Sequence, residues 1–173
     1  MLSYAERKAE LIRQVQDAGG QQIGLGKETS NLFRDRKALD KRRLDVRRFD
    51  HVLEVNSAEG WVDVEAMTPY DALVDSTLRH GVMPAVVPQL RSITLGGAVA
   101  GVGIEATSFR CGLVHETVLE LDVALHRHDA RLHAQRIAQG AVGVGKAEEQ
   151  VAMLVRRCAN CDATVRKKHL QFQ

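Results

Sequence analysis

Apolar residues first recur with a helical period at Leu11, Ile12 and Val15, with charged positions around them. That spacing predicts an amphipathic helix over residues 5–18, ended by the Gly19-Gly20 pair. Ile23 and Leu25 then alternate with small residues as a short strand, followed by the loop GKETSNLFR. Residues 38–48 are dominated by charge and read as exposed. HVLEVN (51–56) and WVDVEA (61–66) alternate on either side of SAEG, which is the pattern of a hairpin. Thr68-Pro69 opens a second helix over Tyr70–His80, with threonine at the cap, proline in the first turn and Asp71 at the positive end of the dipole. Leu73, Val74 and Leu78 would face inward, and Gly81 closes this helix. In MPAVVPQLRSITLGGAVAGVGIEATSFRCG the prolines predict an extended approach, and the glycines at 96, 97, 101 and 103 predict turns. HETVLELDVAL (115–125) alternates at Val118, Leu119, Leu121, Val123 and Leu125 and reads as a strand. After Leu125 no clean strand pattern survives, and only residues 147–157 look helical.

At 173 residues the chain suits one ordinary domain or two small subdomains sharing a core. Its 45% hydrophobic content is that of a globular protein, although only 4% is aromatic. The longest apolar run, Leu95–Ile104, is too short and too rich in glycine to cross a bilayer, and MLSYAERKAELIRQ lacks the apolar core of a signal peptide. Three scattered cysteines make no disulfide framework, so a cytoplasmic location is expected. Charge is unevenly distributed. Residues 27–48 hold nine Lys/Arg against four Asp/Glu, 49–123 hold three against eleven, and 124–173 again hold nine against four. A basic stretch, an acidic middle and a basic tail argue against a dedicated nucleic-acid binder, which needs a dominant basic face. They also mark the tail as a different kind of sequence.

The strongest candidate chemistry is Pro88–Gly103. A Ser/Thr-bearing approach followed by two adjacent glycines lets backbone N–H groups come close to an anion such as pyrophosphate. A glycine-rich turn between strands accounts for the same glycines. Two weaker motifs lie in the tail. GAVGVGKA (140–147) nearly matches a nucleotide phosphate loop, but Ala147 replaces the hydroxyl that holds magnesium and no buried strand precedes it. Cys158-Ala159-Asn160-Cys161 has zinc-ligand spacing, with His126, His128 and His133 nearby, but one such pair alone is a weak signal and no metal is assigned. Lys41-Arg42-Arg43 and Arg166-Lys167-Lys168 read as solvated faces.

KETSNLFR (27–34) and VDVEAMTPYDALVDSTLRHGVMPAVVPQLRSITLGGAVAGVGIEATSFRCGLVHETVLELDV (62–123) resemble the FAD-binding domain of vanillyl-alcohol-oxidase or para-cresol-methylhydroxylase type flavoproteins. Within that group the likeness is to bacterial FAD-linked oxidases related to sterol side-chain reductases. The resemblance implies an α+β fold of two subdomains with FAD between them, the second incomplete here. It implies that Lys27, Thr29, Ser30 and Asn31 face the FAD pyrophosphate. Thr94, Leu95, Gly96, Gly97, Ala98 and Gly101 would meet the pyrophosphate and ribityl chain. Glu105, Ser108, Gly112, His115 and Val118 would continue along the flavin on a strand-like backbone. Ala66 departs from the glycine that relatives usually carry in a Val-x-Gly turn.

His115 could hydrogen-bond or carry the flavin, but a capping histidine at a strand start is the plainer reading. Cys111 could be a second attachment point, but reads more simply as a small buried residue. The first loop, Lys27–Arg34, holds no histidine, so FAD is expected to be noncovalent. The chain divides into an N-terminal helix (1–22), an incomplete FAD-binding domain (23–125) and a divergent tail (126–173) expected to be poorly ordered. Loss of the resemblance near Ala124 suggests truncation, as a reading-frame change would give. The function expected is the FAD-binding portion of an oxidoreductase transferring hydride between a small organic substrate and FAD, without nucleic acid or a membrane span. No catalytic residue is named, because relatives carry most of theirs after this region. The alternatives are a noncatalytic flavin- or nucleotide-binding fragment, and a small basic zinc- or nucleic-acid-binding protein.

Overall fold

The computed structural model describes residues 2–19, 21–27, 41–126, 133–138 and 150–159. Helix α1 (Tyr4–Asp17) starts with a capping box, in which Ser3 and Glu6 satisfy each other's backbone N–H, and ends at Ala18 before Gly19. Leu11 and Val15 point inward from it, as the spacing predicts. Strand β1 (Ile23–Gly26) pairs in parallel with β2 (Arg42–Asp45). Residues 38–48 were expected to be exposed throughout, but Leu44 and Val46 are buried. Their alternation turns one face of an otherwise charged strand into core. These residues join Leu11, Val15, Ala18, Ile23 and Phe49 in a first hydrophobic cluster.

The predicted hairpin forms from β3 (Val52–Asn56) and β4 (Trp61–Val64), with Asn56 Oδ1 accepting from the Glu59 amide and Gly60 in the left-handed region. Helix α2 (Tyr70–Leu78) follows. Its cap differs from expectation: Pro69 occupies the N-cap, and Thr68 is fully buried with its hydroxyl donating to His51 O. Leu73 faces inward, but Leu78 in the last turn is exposed. Helix α3 (Leu95–Ala100), a short helical turn α4 (Ser108–Cys111) and a 3-10 turn (Val114–Thr117) lead into β5 (Val118–His126). The strand thus begins three residues later than the alternation suggests.

The sheet is completed by β6 (His133–Ala138) and β7 (Gln150–Ala159), giving the order β3-β4-β7-β5-β6 with all partners antiparallel. This corrects the helical reading of 147–157 for residues 150–157. The segment is rich in helix-forming residues, but pairing with strands on both sides overrides that propensity. Val62, Val64, Tyr70, Leu73, Leu95, Val99, Val114 and Leu121 form the second cluster, beneath α2 and α3. Two hydrophobic clusters with mixed helix and strand make an α+β fold of two units. Among the described residues no helix is long and apolar enough to cross a membrane.

Candidate functional site

The glycine pair at 96–97 lies inside α3, where turns were expected. A helix start leaves its first N–H groups without intrahelical partners, and here each one finds an acceptor. Leu95 N donates to Thr68 O at 2.9 Å and Gly96 N to Ala66 O at 2.7 Å. Gly97 N donates to Thr94 Oγ1 at 3.2 Å and Ala98 N to Thr94 O at 2.9 Å. The amides of 95–98 are therefore spent within the fold rather than open to an anion. By contrast, the N–H groups of Gln89, Leu90, Arg91 and Ser92 have no acceptor among the described residues. These four lie exposed in the turn just before α3.

The glycines serve two different purposes. A Cβ on Gly96 would fall 2.9 Å from both Ala66 Cβ and Ala66 O, and one on Gly103 would fall 2.9 Å from Val114 Cγ2. Both are required by packing. Ala66 itself is buried in its turn without a left-handed backbone, so its departure from glycine is accommodated. Gly97 and Gly101, one helical turn apart, are exposed on the outer side with Ala100. A Cβ on Gly97 would meet only Thr94 Oγ1, at 3.0 Å. Next to this strip Val102 adopts φ 53°, and Val102 and Ile104 are exposed apolar residues. Left-handed backbone is costly for a β-branched residue.

The 105–118 segment is not a continuous strand. Ser108 Oγ accepts from Glu105 N at 2.9 Å, and Ser108 N donates to Glu105 O at 2.8 Å, so this pair closes a local turn. Gly112 ends α4 with φ 81°, which favours glycine, and a Cβ there would lie 2.8 Å from Glu116 Oε2. Glu116 in turn accepts from Leu113 N at 2.7 Å. His115 sits in the 3-10 turn and not at a strand start; its Nδ1 is buried and finds no partner among the described residues. Val118 is buried as the first residue of β5. Cys111 is buried and forms no disulfide among the described residues.

Lys27 follows β1 directly and is half-buried. It lines a cleft of about 360 Å³ with Gly26, Arg43, Asp45 and Arg47. Hydrogen bonds from the Arg47 guanidinium, at 2.9 and 3.0 Å, hold the Asp45 carboxyl down to about 2. Arg43 and Arg47 were not anticipated beside Lys27. The parallel pairing of β1 with β2, which aligns Gly24 with Arg43 and Gly26 with Asp45, brings Arg43 to this end of the sheet. Thr29, Ser30 and Asn31 lie outside the described residues, as do GAVGVGKA, Cys161, His128, His169 and Arg166-Lys167-Lys168. Asp50, His51 and Glu65 bring three ligand-type atoms within 4.8 Å of one another, but the Glu65 oxygens are already taken by Arg7 and His51.

The model of the FAD binding domain family matches residues 4–130. A Delta(24)-sterol reductase of Arabidopsis thaliana is 30% identical over 82 residues, which are 47% of this chain and 15% of that protein. Its Pisum sativum counterpart is 28% identical over 82 residues, 14% of its length. Among solved structures, alkyldihydroxyacetonephosphate synthase superposes with a TM-score of 0.63 at 17% identity, over 91% of this chain and 29% of that one. The last likeness is one of fold. The chain thus spans less than a third of each of these relatives.

Proposed function

Because this chain belongs to the FAD binding domain family, with FAD as its cofactor, we propose that it is the cofactor-holding part of a flavin-dependent oxidoreductase. FAD supplies the redox chemistry, and in this reading hydride passes between the flavin and a small organic substrate. The observation that carries the proposal is the outward strip of Gly97 and Gly101, followed directly in the chain by exposed Val102 and Ile104. Backbone without Cβ atoms lets the ribityl chain or ring approach closely, and the apolar residues give a planar ring surface to lie on. The unengaged amides of 89–92 suit the pyrophosphate, and Lys27 with Arg43 and Arg47 supplies positive charge toward it.

Thr94 fits as a cap that fixes this surface, with Leu95, Gly96 and Ala98 behind it as support and not as direct ligands. The orphaned His115 Nδ1 supports a polar group of the cofactor, or a water, beside the 3-10 turn. Glu105, Ser108, Gly112 and Val118 shape that side. Thr29, Ser30 and Asn31 extend the phosphate contacts from the first loop. Attachment is noncovalent, since the first loop holds no histidine and Cys111 is buried. The lack of a disulfide framework in the cysteine pattern supports a cytoplasmic location in this reading.

The test is FAD titration of the purified chain, followed by flavin fluorescence. Gly97→Val should weaken binding strongly while leaving the circular dichroism spectrum intact. Lys146→Ala, in the tail's phosphate-loop-like stretch, should leave binding unchanged. The reverse pattern would move the nucleotide site to the tail. Reduction of bound flavin by an organic donor separates an enzyme from a noncatalytic binding module.

A further inference from the structure

Glu65 has no exposed side-chain surface, yet it is paired with the Arg7 guanidinium. A buried carboxylate is costly unless fully paired, and its pairing tends to fix one arrangement of the elements around it. The Arg7 guanidinium of α1 donates to Glu65 Oε1 and, at 2.6 Å, to Leu2 O. Glu65 Oε2 accepts from His51 N at 3.0 Å and faces His51 Nδ1 at 2.9 Å. The backbone repeats the link: Glu65 N donates to His51 O at 2.9 Å and Met67 N to Phe49 O at 2.8 Å. The next residues reach the other way. Ala66 O and Thr68 O hold the first two amides of α3, and Ala66 Cβ fills the space that Gly96 leaves. Meanwhile Leu11 and Val15 of α1 pack in the cluster of Ile23 and Leu44, on the strands that end at Gly26, just before Lys27, and at Asp45.

We propose that Arg7, Glu65 and His51 are positioning residues that fix the register between the two FAD-facing parts, the Lys27 end of β1 and the glycine helix α3. This rests on the FAD-site reading above. None of the three is required to touch the cofactor. They act through the Ala66–Thr68 turn, whose carbonyls determine where α3 starts.

The experiment compares the wild-type chain with Glu65→Gln, Arg7→Met and Arg7→Lys by residue-resolved hydrogen exchange without FAD, and by FAD titration. In Glu65→Gln and Arg7→Met the Leu95 and Gly96 amides should exchange faster, while those of the α2 interior and the β3–β4 hairpin stay as in wild type. FAD affinity should fall roughly two- to thirty-fold, the scale of coupling through an intervening element. Arg7→Lys, which keeps the charge, should recover part of both effects and covers the case in which Glu65→Gln fails to fold. Exchange that rises uniformly through α2 and the hairpin would overturn the proposal, because the pair would then be a general stabiliser. So would unchanged exchange at residues 95 and 96. If wild type shows no FAD affinity, the FAD-site reading fails, while the exchange pattern still decides whether these residues position α3.

Discussion

Gly96→Ala is the substitution whose effect follows most directly from the packing of α3. The added Cβ would lie 2.9 Å from Ala66 Cβ and 2.9 Å from Ala66 O, well inside the 3.5–4.0 Å of relaxed carbon contact. Either α3 retreats and weakens the 2.7 Å bond from Gly96 N to Ala66 O, or the 66–68 turn moves against its ties to Phe49 and His51. Overpacking of this kind costs about 1–3 kcal/mol, against which better helix propensity returns at most about 1 kcal/mol. The net loss is up to about 3 kcal/mol, and each kcal/mol moves the Tm of a chain this size by about 2–4 °C. Gly97→Ala is the matched control. Its Cβ meets only Thr94 Oγ1, so without FAD it should be neutral or slightly stabilising. Adding Ala66→Gly to Gly96→Ala should relieve the loss only in part, since the carbonyl contact remains. Thermal denaturation of the four proteins, monitored by circular dichroism, measures these differences. A Gly96→Ala protein as stable as Gly97→Ala would refute the assignment of Gly96 to packing.

Asp45 predicts a small acid-labile contribution. Its folded carboxyl is held at about 2 against 3.8 by Arg47, so the stabilisation is present above pH 3.8 and is lost as pH falls toward 2. Because the pair is largely exposed, the effect is at most about 1 kcal/mol, and Arg47→Ala should remove it from denaturant curves taken across that pH range. Identical pH dependence in both proteins would exclude it. Val102→Asn should raise the Tm by the equivalent of about 1 kcal/mol, because asparagine tolerates the left-handed backbone that valine holds at φ 53°. A lower Tm would show that the valine side chain contributes more than its strain costs.

How legible each element was depended on where its stability comes from. The first helix, the hairpin and the 118–126 strand carry their own periodicity, so Leu11, Val15, Val62 and Val64 announce the cores they enter. Helix α3 does not, because Gly-Gly is a poor helix sequence. Its start is imposed by Thr94 and by the carbonyls of Ala66 and Thr68, roughly 30 residues earlier. β7 reads as helix because its composition favours helix, and only its neighbours β4 and β5 make it a strand. In β2, Leu44 and Val46 were hidden by the surrounding charge, which also hid Arg43 beside Lys27. The glycine-rich segment stood out in the sequence as a candidate for nucleotide binding. Which glycines face outward became clear only from the contacts of Gly96 with Ala66 and Gly103 with Val114.

The most direct test of the account is equilibrium dialysis of the folded chain against FAD, with the visible spectrum of the retained protein recorded. The account predicts stoichiometric, reversible FAD binding with a shifted flavin spectrum, released by denaturation and lost in Gly97→Val. A folded wild-type chain that retains no FAD, or binding that Gly97→Val leaves untouched, would contradict it.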